Sequence, residues 1–373
     1  MKPRPAALLF SLILVLRLAI AAQYRGNFDS QSFLIVANAV LNGQNVYAAT
    51  DRYNYSPVWS YVVAILWRVA MPHVGLFVLL VGLFANLVDV ISAGVLLRLA
   101  RDRLGISPDG ARRSALVFFS NPVSVAVACI HGQFDGLAVL FLLAAVYAAT
   151  AAPQRGQNAK VVFWLSISLL VKHVTAFHPL LFVRNRRRTG LSLAATIVPY
   201  VVFALSFVPF LSARGGIVSN VLFYPTQLFG ASHRQRPGGL RYLIEFSRHS
   251  DGIFFAIFVG ALAWALWWLR SADLTRACLV LFLTILLFLP GFSFQYLVWP
   301  IALGSLAAPP FYALFSTMGA LFYFGEAWHW PMKATHLGPW VAALIWWIDE
   351  VRSLRFRPWS EVGPGIEWWS GEA

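Results

Sequence analysis

The sequence predicts an all-α, polytopic membrane protein, and its composition and the length of its apolar runs carry this prediction. Hydrophobic residues make up 59% of the 373 residues and charged residues only 12%, whereas a soluble domain has about 25% charged residues. Many apolar stretches reach the roughly 20 residues that an α-helix needs to cross a bilayer. We therefore expect one integral-membrane domain over residues 1–373, with about ten transmembrane helices.

The distribution of positive charge predicts the topology. The formal net charge is +14, and the arginines gather in short segments between apolar runs, as the positive-inside rule requires of cytoplasmic loops. Lys2 and Arg4 place the N-terminus inside, together with the basic clusters at 98–113, 184–188 and 352–357. The same charge suits contact with anionic membrane lipids. No basic-aromatic module is present in the sequence, so nucleic acid is not an expected partner.

The apolar runs place the spans in order along the chain, because each run ends at a basic cluster, a proline or a polar turn. Helix 1 is expected to stay uncleaved, since Arg17 interrupts the apolar core that a signal peptide needs. The predicted spans lie at about 6–22, 75–97, 114–130, 137–150, 190–211, 253–269, 277–290, 297–308, 310–325 and 338–348.

Two apolar segments do not fit a simple crossing. The run 57–71 is short and ends at Pro72, and a full crossing would place the next arginine cluster outside, so we expect it to lie at the outer leaflet or half-enter it. The segment 161–183 lies between two basic clusters and carries Lys172 at its centre. Two half-length helices that meet near Lys172 would keep both clusters inside, and broken backbone at that depth is tolerated only where it lines a cavity. We predict a half-spanning helical hairpin whose lysine faces a polar cavity.

Two predicted outer loops, about 23–56 and 213–252, carry polar residues beside the membrane. In the first loop, Asp29 opens a predicted juxtamembrane helix over 30–42. Asp29 either caps this helix or acts as a general base at the membrane surface. The second loop is basic and includes Arg241. Guanidinium groups clamp phosphate bidentately, but contact with anionic lipid explains this charge equally well.

The hexapeptide from His131 to Gly136 brings ionisable groups between two apolar runs. A carboxylate inside a span costs about 2.5–3.5 kcal/mol on insertion scales, so such groups are placed where water or a partner meets them. The glycines let the backbone turn, and His131 and Gln133 can hydrogen-bond whatever Asp135 faces. This segment predicts a polar site at the rim of the helical bundle.

Several short motifs, taken in their order along the chain, resemble the C-type membrane glycosyltransferases. They are Asp29 just after helix 1, Gly43-x-x-x-Tyr47, Tyr53-x-Tyr55-x-Pro57, Gly132-Gln-x-Asp135, Lys172 in a broken apolar segment, and Gln295-Tyr296-x-x-Trp299. The groups they resemble most are the bacterial polyprenyl-phosphate-mannose-dependent mannosyltransferases and the catalytic subunit of GPI mannosyltransferase I. The resemblance implies an integral-membrane enzyme of the cytoplasmic membrane, with its active site on the extracytoplasmic side.

The resemblance also implies a reaction and a set of roles. A hexose, with mannose favoured, would pass from a polyprenyl-phosphate sugar to a glycolipid, polysaccharide or protein acceptor. Asp29 would be the general base of an inverting single displacement. The residues that bind the donor phosphate would be Arg17, Lys172 and Arg241. The residues that orient sugar or acceptor hydroxyls would be His131, Gln133, Asp135, Gln295 and Tyr296.

One departure from the family bears on cofactors. The GPI enzymes carry Asp-x-Asp in the first outer loop, whereas this chain has Asn27-Phe-Asp29, with a single carboxylate. A lipid-phosphate sugar has no nucleotide pyrophosphate for a metal to bridge. We therefore expect no cofactor, with a divalent metal as the less favoured alternative.

Other interpretations stay open at the level of sequence. Arg17 can snorkel to the interface, and Asp89 with Asn86 is expected to hydrogen-bond between helices. Glu326 and His329 form a second acid and histidine group that is the alternative base. A transporter or lipid-handling protein without chemistry is the main rival function, and an acyltransferase with an intramembrane histidine is another.

Overall fold

The computed structural model describes residues 3–151, 156–184, 193–222, 251–289, 291, 293–307, 309–327 and 333–354. Every element within these ranges is helical, in agreement with the predicted all-α class. The α-helices are α1 Pro3–Gln23, α2 Phe28–Leu41, α3 Val46–Ala49, α4 Pro57–Ala70, α5 Val74–Asp102, α6 Pro108–Phe119, α7 Pro122–Val125, α8 Asp135–Ala149, α9 Gln157–Val171, α10 His178–Arg184, α11 Ala194–Leu205, α12 Arg214–Ile217, α13 Asp251–Trp268, α14 Leu274–Phe288, α15 Ile301–Gly304, α16 Pro310–Ala327 and α17 Lys333–Ser353.

Helix length limits which elements can cross a bilayer alone. Among the described residues, Pro5–Gln23 and Val74–Asp102 are long and apolar enough, and two bent helix pairs raise the number of spans to four if each pair counts as one. Helices of 14 or 15 residues, such as α4 and α8, are about 21–23 Å long, short of the ~30 Å hydrocarbon core. The predicted number of about ten spans and the placement of 57–71 at the outer leaflet stay predictions.

The first outer loop contains the predicted juxtamembrane helix, as α2. This helix begins at Phe28, two residues before the predicted start, because Asn27 is its N-cap: the Asn27 side chain accepts from the Ser30 backbone N–H, 2.9 Å away. Asp29 therefore lies in the first turn and does not cap the helix. The alternative that Asp29 caps this helix is therefore wrong, and its carboxylate has other partners.

The predicted span 114–130 is wrong as a single straight helix. Helix α6 begins earlier, at Pro108, and a break at Ser120–Asn121 bends the pair Pro108–Phe119 and Pro122–His131 by 43°. The break follows from the sequence, since Pro122 has no N–H to continue the hydrogen-bond ladder and the Asn121 side chain caps α7 at the Val123 N–H, 2.9 Å away. A π-helical turn over Ala126–His131 then leads into the polar hexapeptide.

The predicted break near Lys172 is confirmed. Helix α9 ends at Val171, and Lys172 itself is extended, with φ −157° and ψ 131°. A 3₁₀ turn over His173–Thr175 follows, and then the short helix α10. Two short helices therefore flank a lysine in irregular backbone, as predicted; whether both ends face the cytoplasm stays a prediction.

Two further spans differ from their predicted form. The run 190–211 is broken, since Ala194–Leu205 and Val208–Val221 are bent by 53°. The run 297–308 is not one helix but a 3₁₀ segment, Phe294–Val298, followed by the short helix Ile301–Gly304, with Pro300 between them. In the predicted outer loop 213–252, residues 214–222 are helical, and residues 223–250 lie outside the described ranges.

Among the described residues, the two largest hydrophobic clusters hold most of the helices together. The larger joins α5, α6, α8, α14 and α17. The smaller lies beneath the first loop, where Trp59 and Phe134 stack with ring centroids 3.7 Å apart. The tyrosines of the first-loop motifs hydrogen-bond within this loop. Tyr47 Oη donates to the Tyr55 carbonyl at 2.8 Å, and Tyr53 Oη donates to the Ser56 carbonyl at 2.6 Å. The loop that carries Asp29 is therefore folded against the helices.

Candidate active site

Asp29 lies at the centre of a polar cluster built from two distant parts of the chain. Its Oδ2 accepts from Gln133 Nε2 at 2.6 Å and lies 2.8 Å from His131 Nε2. The side chain stays 25% exposed, and no described residue donates to Oδ1. Two contacts on one oxygen hold the carboxylate in a single orientation, and they leave the other oxygen for a ligand.

The backbone of the hexapeptide is held by the same loop. The His131 carbonyl accepts from Tyr24 Oη at 3.3 Å and from Asn27 Nδ2 at 3.2 Å. Gly132 has φ +65°, and a Cβ there would meet the Tyr24 ring at 3.3 Å. A glycine is required at 132, because other residues rarely adopt this left-handed conformation. Asn27 thus both caps α2 and connects the first loop to the hexapeptide through the His131 carbonyl.

The environment of Asp29 favours its ionised form. Burial acts to raise the pKa of this carboxyl, but the hydrogen bond and charge of His131, the hydrogen bond from Gln133 and the charge of Lys172 together bring the pKa below its usual 3.8. An ionised carboxylate with one free oxygen can accept a proton or a hydrogen bond from a hydroxyl group.

Asp135 and Lys172 form a buried ion pair next to this cluster. Lys172 Nζ lies 2.6 Å from Asp135 Oδ2, with side-chain exposures of 3% and 0%. Trp299 Nε1 donates to the other oxygen at 2.8 Å, so both oxygens of Asp135 are satisfied. The ammonium also lies over the rings of Tyr55 and Phe134, 4.8 and 5.0 Å from their centroids. Lys172 therefore points into an aromatic pocket with one carboxylate.

Arg17 lies in a separate, fully buried network. Its Nε donates to Asn86 Oδ1 at 2.8 Å, one terminal nitrogen donates to the Phe119 carbonyl at 2.8 Å, and the other pairs with Asp89. Ser124 Oγ donates to Asp89 at 2.7 Å. The expected inter-helix role of Asp89 is confirmed, whereas snorkelling of Arg17 is wrong, because the residue has 0% exposure. The predicted phosphate contact of Arg17 stays a prediction and would require an exchange of these partners.

A narrow cavity separates the Arg17 network from the Asp29 cluster. Its lining includes Asp89 and Ser124 of the Arg17 network and Gln133 and Gly136 of the hexapeptide. It has room for about one water molecule. A Cβ at Gly136 would lie 3.1 Å from Asp89 Oδ1, so the hexapeptide rests closely on the buried ion pair.

The segment around residue 295 contacts the candidate site through some of its residues and not through others. Phe294 packs beside His131, with ring centroids 6.4 Å apart. Tyr296 stacks on Trp299 at 4.2 Å, and Gln295, 6% exposed, accepts from Ser293. The segment thus joins the site through Phe294 and Trp299, and Gln295 makes no contact with Asp29. Arg241, the Glu326 side chain and His329 lie outside the described residues.

The structure also brings in residues that sequence reasoning did not assign to the site. Tyr323 of α16 lies beside His131, with ring centroids 6.2 Å apart. Tyr55 and Phe134 cover Lys172, and Trp299 holds Asp135. Trp299 had a signal in its motif, but Tyr323 had none, since it is one aromatic residue among several in an apolar helix. Within the described residues, no three His, Cys, Asp or Glu side chains are placed to hold a metal ion.

The arrangement of these helices is shared with a protein of known structure. A solved structure that shares it is ArnT from Cupriavidus metallidurans, determined bound to undecaprenyl phosphate, with a TM-score of 0.58. The match covers 97% of this chain and 77% of ArnT at 14% sequence identity, so it establishes the fold. No family profile and no curated protein sequence matches this chain.

Proposed function

We propose that this protein transfers a hexose from a polyprenyl-phosphate sugar to an acceptor hydroxyl at the extracytoplasmic face of the cytoplasmic membrane. The observation that carries the proposal is the Asp29 carboxylate, which His131 and Gln133 hold through one oxygen, while no described residue donates to the other. The lipid-phosphate donor is supported by the shared fold with ArnT, whose structure holds undecaprenyl phosphate. Mannose as the sugar, and a glycolipid, polysaccharide or protein as the acceptor, rest on the motif resemblance.

The reaction assigns one task to each part of the site. Asp29 Oδ1 takes the proton of the acceptor hydroxyl as its oxygen attacks the anomeric carbon, which is worth about 10²–10⁴-fold for a placed base. The bond from that carbon to the phosphate oxygen breaks, its electrons leave with the phosphate, and the anomeric configuration inverts. His131 and Gln133 orient the base, and Asp135 holds Lys172.

The leaving phosphate needs positive charge, and this is commonly the largest catalytic contribution. Lys172 is the cation whose charge already acts on Asp29. It can bind a phosphate beside the base if its N–H groups donate both to Asp135 and to the ligand. Arg241 of the second outer loop and Arg17 are the other proposed phosphate-binding residues. The proposal uses no metal ion, because these cations do the work that a metal would do.

Conversion of Asp29 to Asn is the decisive experiment. Purified protein in proteoliposomes would receive radiolabelled undecaprenyl-phosphate mannose and membrane acceptors, and the release of undecaprenyl phosphate would be measured with and without EDTA. We expect wild-type release in both conditions and a loss of about 10²–10⁴-fold in Asp29→Asn. Asp51→Asn is the matched control, since Asp51 is exposed in the same loop and should leave the rate unchanged.

Each contrary result removes a different part of the proposal. Full activity in Asp29→Asn would show that another group is the base, and strong loss with EDTA would restore a metal. If the wild-type protein moves the mannosyl lipid across the bilayer without cleaving it, the rival function of a lipid transporter is correct.

A further inference from the structure

Three aromatic rings from distant parts of the chain meet beside Asp29. The rings of Phe294 and Tyr323 lie 6.4 and 6.2 Å from the His131 ring, and 6.2 Å from each other. All three side chains are only partly buried, whereas the rings under the first loop, such as Trp59 and Phe134, are buried completely. The group formed by His131, Phe294 and Tyr323, here called the aromatic wall, therefore keeps part of its surface exposed beside Asp29.

The hydroxyl of Tyr323 stands out within this wall. No described residue donates to it or accepts from it, although Tyr323 lies within electrostatic range of both Asp29 and Tyr24. Other tyrosines near the site use their hydroxyls inside the protein: Tyr24 and Tyr47 donate to backbone carbonyls. On the same helix, Tyr312 Oη accepts from Asn121 Nδ2 at 2.9 Å. A phenol in a partly buried setting ordinarily finds a partner, so Tyr323 has a hydrogen-bonding group to offer a ligand.

The position of the wall indicates which ligand it meets. Phe294 belongs to the segment that also supplies Trp299, and Trp299 donates to Asp135, the partner of Lys172. One segment thus supplies both a ring of the wall and the residue that holds the partner of Lys172, the cation that the proposed mechanism assigns to the donor phosphate. A hexose attached to that phosphate presents C–H faces, which suit aromatic rings, and hydroxyls, which suit a phenol.

We propose that the aromatic wall binds the hexose of the lipid-linked donor, and that the Tyr323 hydroxyl hydrogen-bonds a hydroxyl of that sugar. This inference rests on the proposed function and extends it by naming the residue that distinguishes a glycosylated lipid phosphate from a bare one. The proposed mechanism assigns the phosphate to Lys172, so the contribution of Tyr323 is confined to the sugar.

Tyr323→Phe tests this directly, because a hydroxyl that has no partner among the described residues can be removed without loss of packing. The affinities of purified protein in nanodiscs for undecaprenyl-phosphate mannose and for undecaprenyl phosphate would be compared, without acceptor. We expect Tyr323→Phe to weaken binding of the mannosyl lipid about three- to tenfold, as for one neutral hydrogen bond. Binding of undecaprenyl phosphate and the thermal unfolding midpoint should be unchanged.

Tyr312→Phe is the matched control on the same helix. It removes a hydroxyl that serves Asn121, so it should lower the unfolding midpoint while the ratio of the two affinities stays at the wild-type value. An unchanged ratio in Tyr323→Phe, with wild-type binding of both lipids intact, would overturn this inference alone. Wild-type protein that binds neither lipid would overturn the proposed function together with it.

Discussion

At the scale of single residues, the two carboxylates of the site are distinguished by their partners. Both oxygens of Asp135 are occupied, one by Lys172 and one by Trp299, and the side chain has no exposure. In the part of the chain that the structure describes, nothing donates to the second oxygen of Asp29, and a quarter of its side chain is exposed. A general base must reach its proton within hydrogen-bond distance, so the geometry favours Asp29 over Asp135 as the base, and Asp135 serves to hold Lys172.

The hydrogen bond from His131 leads to a prediction about pH. The pKa of Asp29 lies below 3.8, so its base form is complete above about pH 5 and is lost only as the pH falls through the lowered pKa. His131→Phe removes a contact that lowers this pKa. Burial, which raises the pKa, then has a larger net effect. We expect the acid limb of kcat/KM that Asp29 controls to move to higher pH, as measured by pH–rate profiles of sugar release.

Tyr24→Phe provides the comparison for this experiment. It removes a hydrogen bond to the His131 carbonyl, but it leaves the His131 ring and the contact of that ring with Asp29. The acid limb should keep its wild-type position in this variant. An acid limb that stays in place in His131→Phe would mean that Asp29 does not govern it.

At the scale of elements, the site is built where helices break. The Asn121-Pro122 break and the π-turn before Gly132 end one bent pair at His131. The extended residue Lys172 ends α9. An unbroken helix would keep the backbone polar groups paired and direct side chains into the helix neighbours. A broken helix instead places its terminal side chains at a cavity.

The ion pair between Lys172 and Asp135 should hold two of these elements together. Removing one partner of a buried pair leaves a charge without compensation, at a cost of about 3–5 kcal/mol, so Lys172→Met should strongly lower the unfolding midpoint in detergent. Lys172→Met combined with Asp135→Asn should recover most of this loss, since Asn can still accept from Trp299. The double variant should remain inactive, because the charge proposed for the phosphate is absent.

The single variant decides whether the pair is structural. If Lys172→Met alone unfolds at the wild-type midpoint, the pair contributes nothing to holding α8 and α9. If the double variant transfers sugar at the wild-type rate, Lys172 is not a phosphate-binding residue.

At the scale of the whole molecule, α5, the longest helix among the described residues, runs from the first loop to a cluster of arginines. Helix α5 starts near the first loop and ends at Asp102. At its start, the Val78 side chain packs close to Gly26, where a Cβ would lie 3.4 Å from it. Its 29 residues span about 43 Å, enough to cross a bilayer. The arginines that follow therefore lie far from Asp29, as the positive-inside rule requires if the site faces outward.

Cysteine labelling can test this orientation. Cys129 and Cys278 are buried, so an impermeant maleimide should report only introduced cysteines. In intact cells, we expect Asp51→Cys in the first loop to be labelled and Arg101→Cys, at the end of α5, to be labelled only after the membrane is opened. Both positions are exposed in the structure. The reverse pattern would place the active site in the cytoplasm.

Some features of this fold could be predicted from the sequence, and others could not. The low charge content and the long apolar runs predicted an all-helical membrane protein, and the basic clusters on both sides of Lys172 predicted the break that the structure contains. The Asn121 break was missed, because the apolar pattern continues through it and only the Asn-Pro pair marked it. Tyr323 was missed because nothing in an apolar helix distinguishes one tyrosine from its neighbours.

The sequence by itself determined the class of fold and the residues able to do chemistry, since hydropathy and ionisable groups in apolar runs are local properties that do not depend on distant contacts. Only the tertiary structure decided which of these groups meet. It joined Asp29 to His131 and Gln133, it paired Lys172 with Asp135, and it placed Arg17 with Asp89. Such pairings join residues 37 to 104 positions apart, so they depend on how distant helices pack, and that packing leaves no periodic signal in the chain.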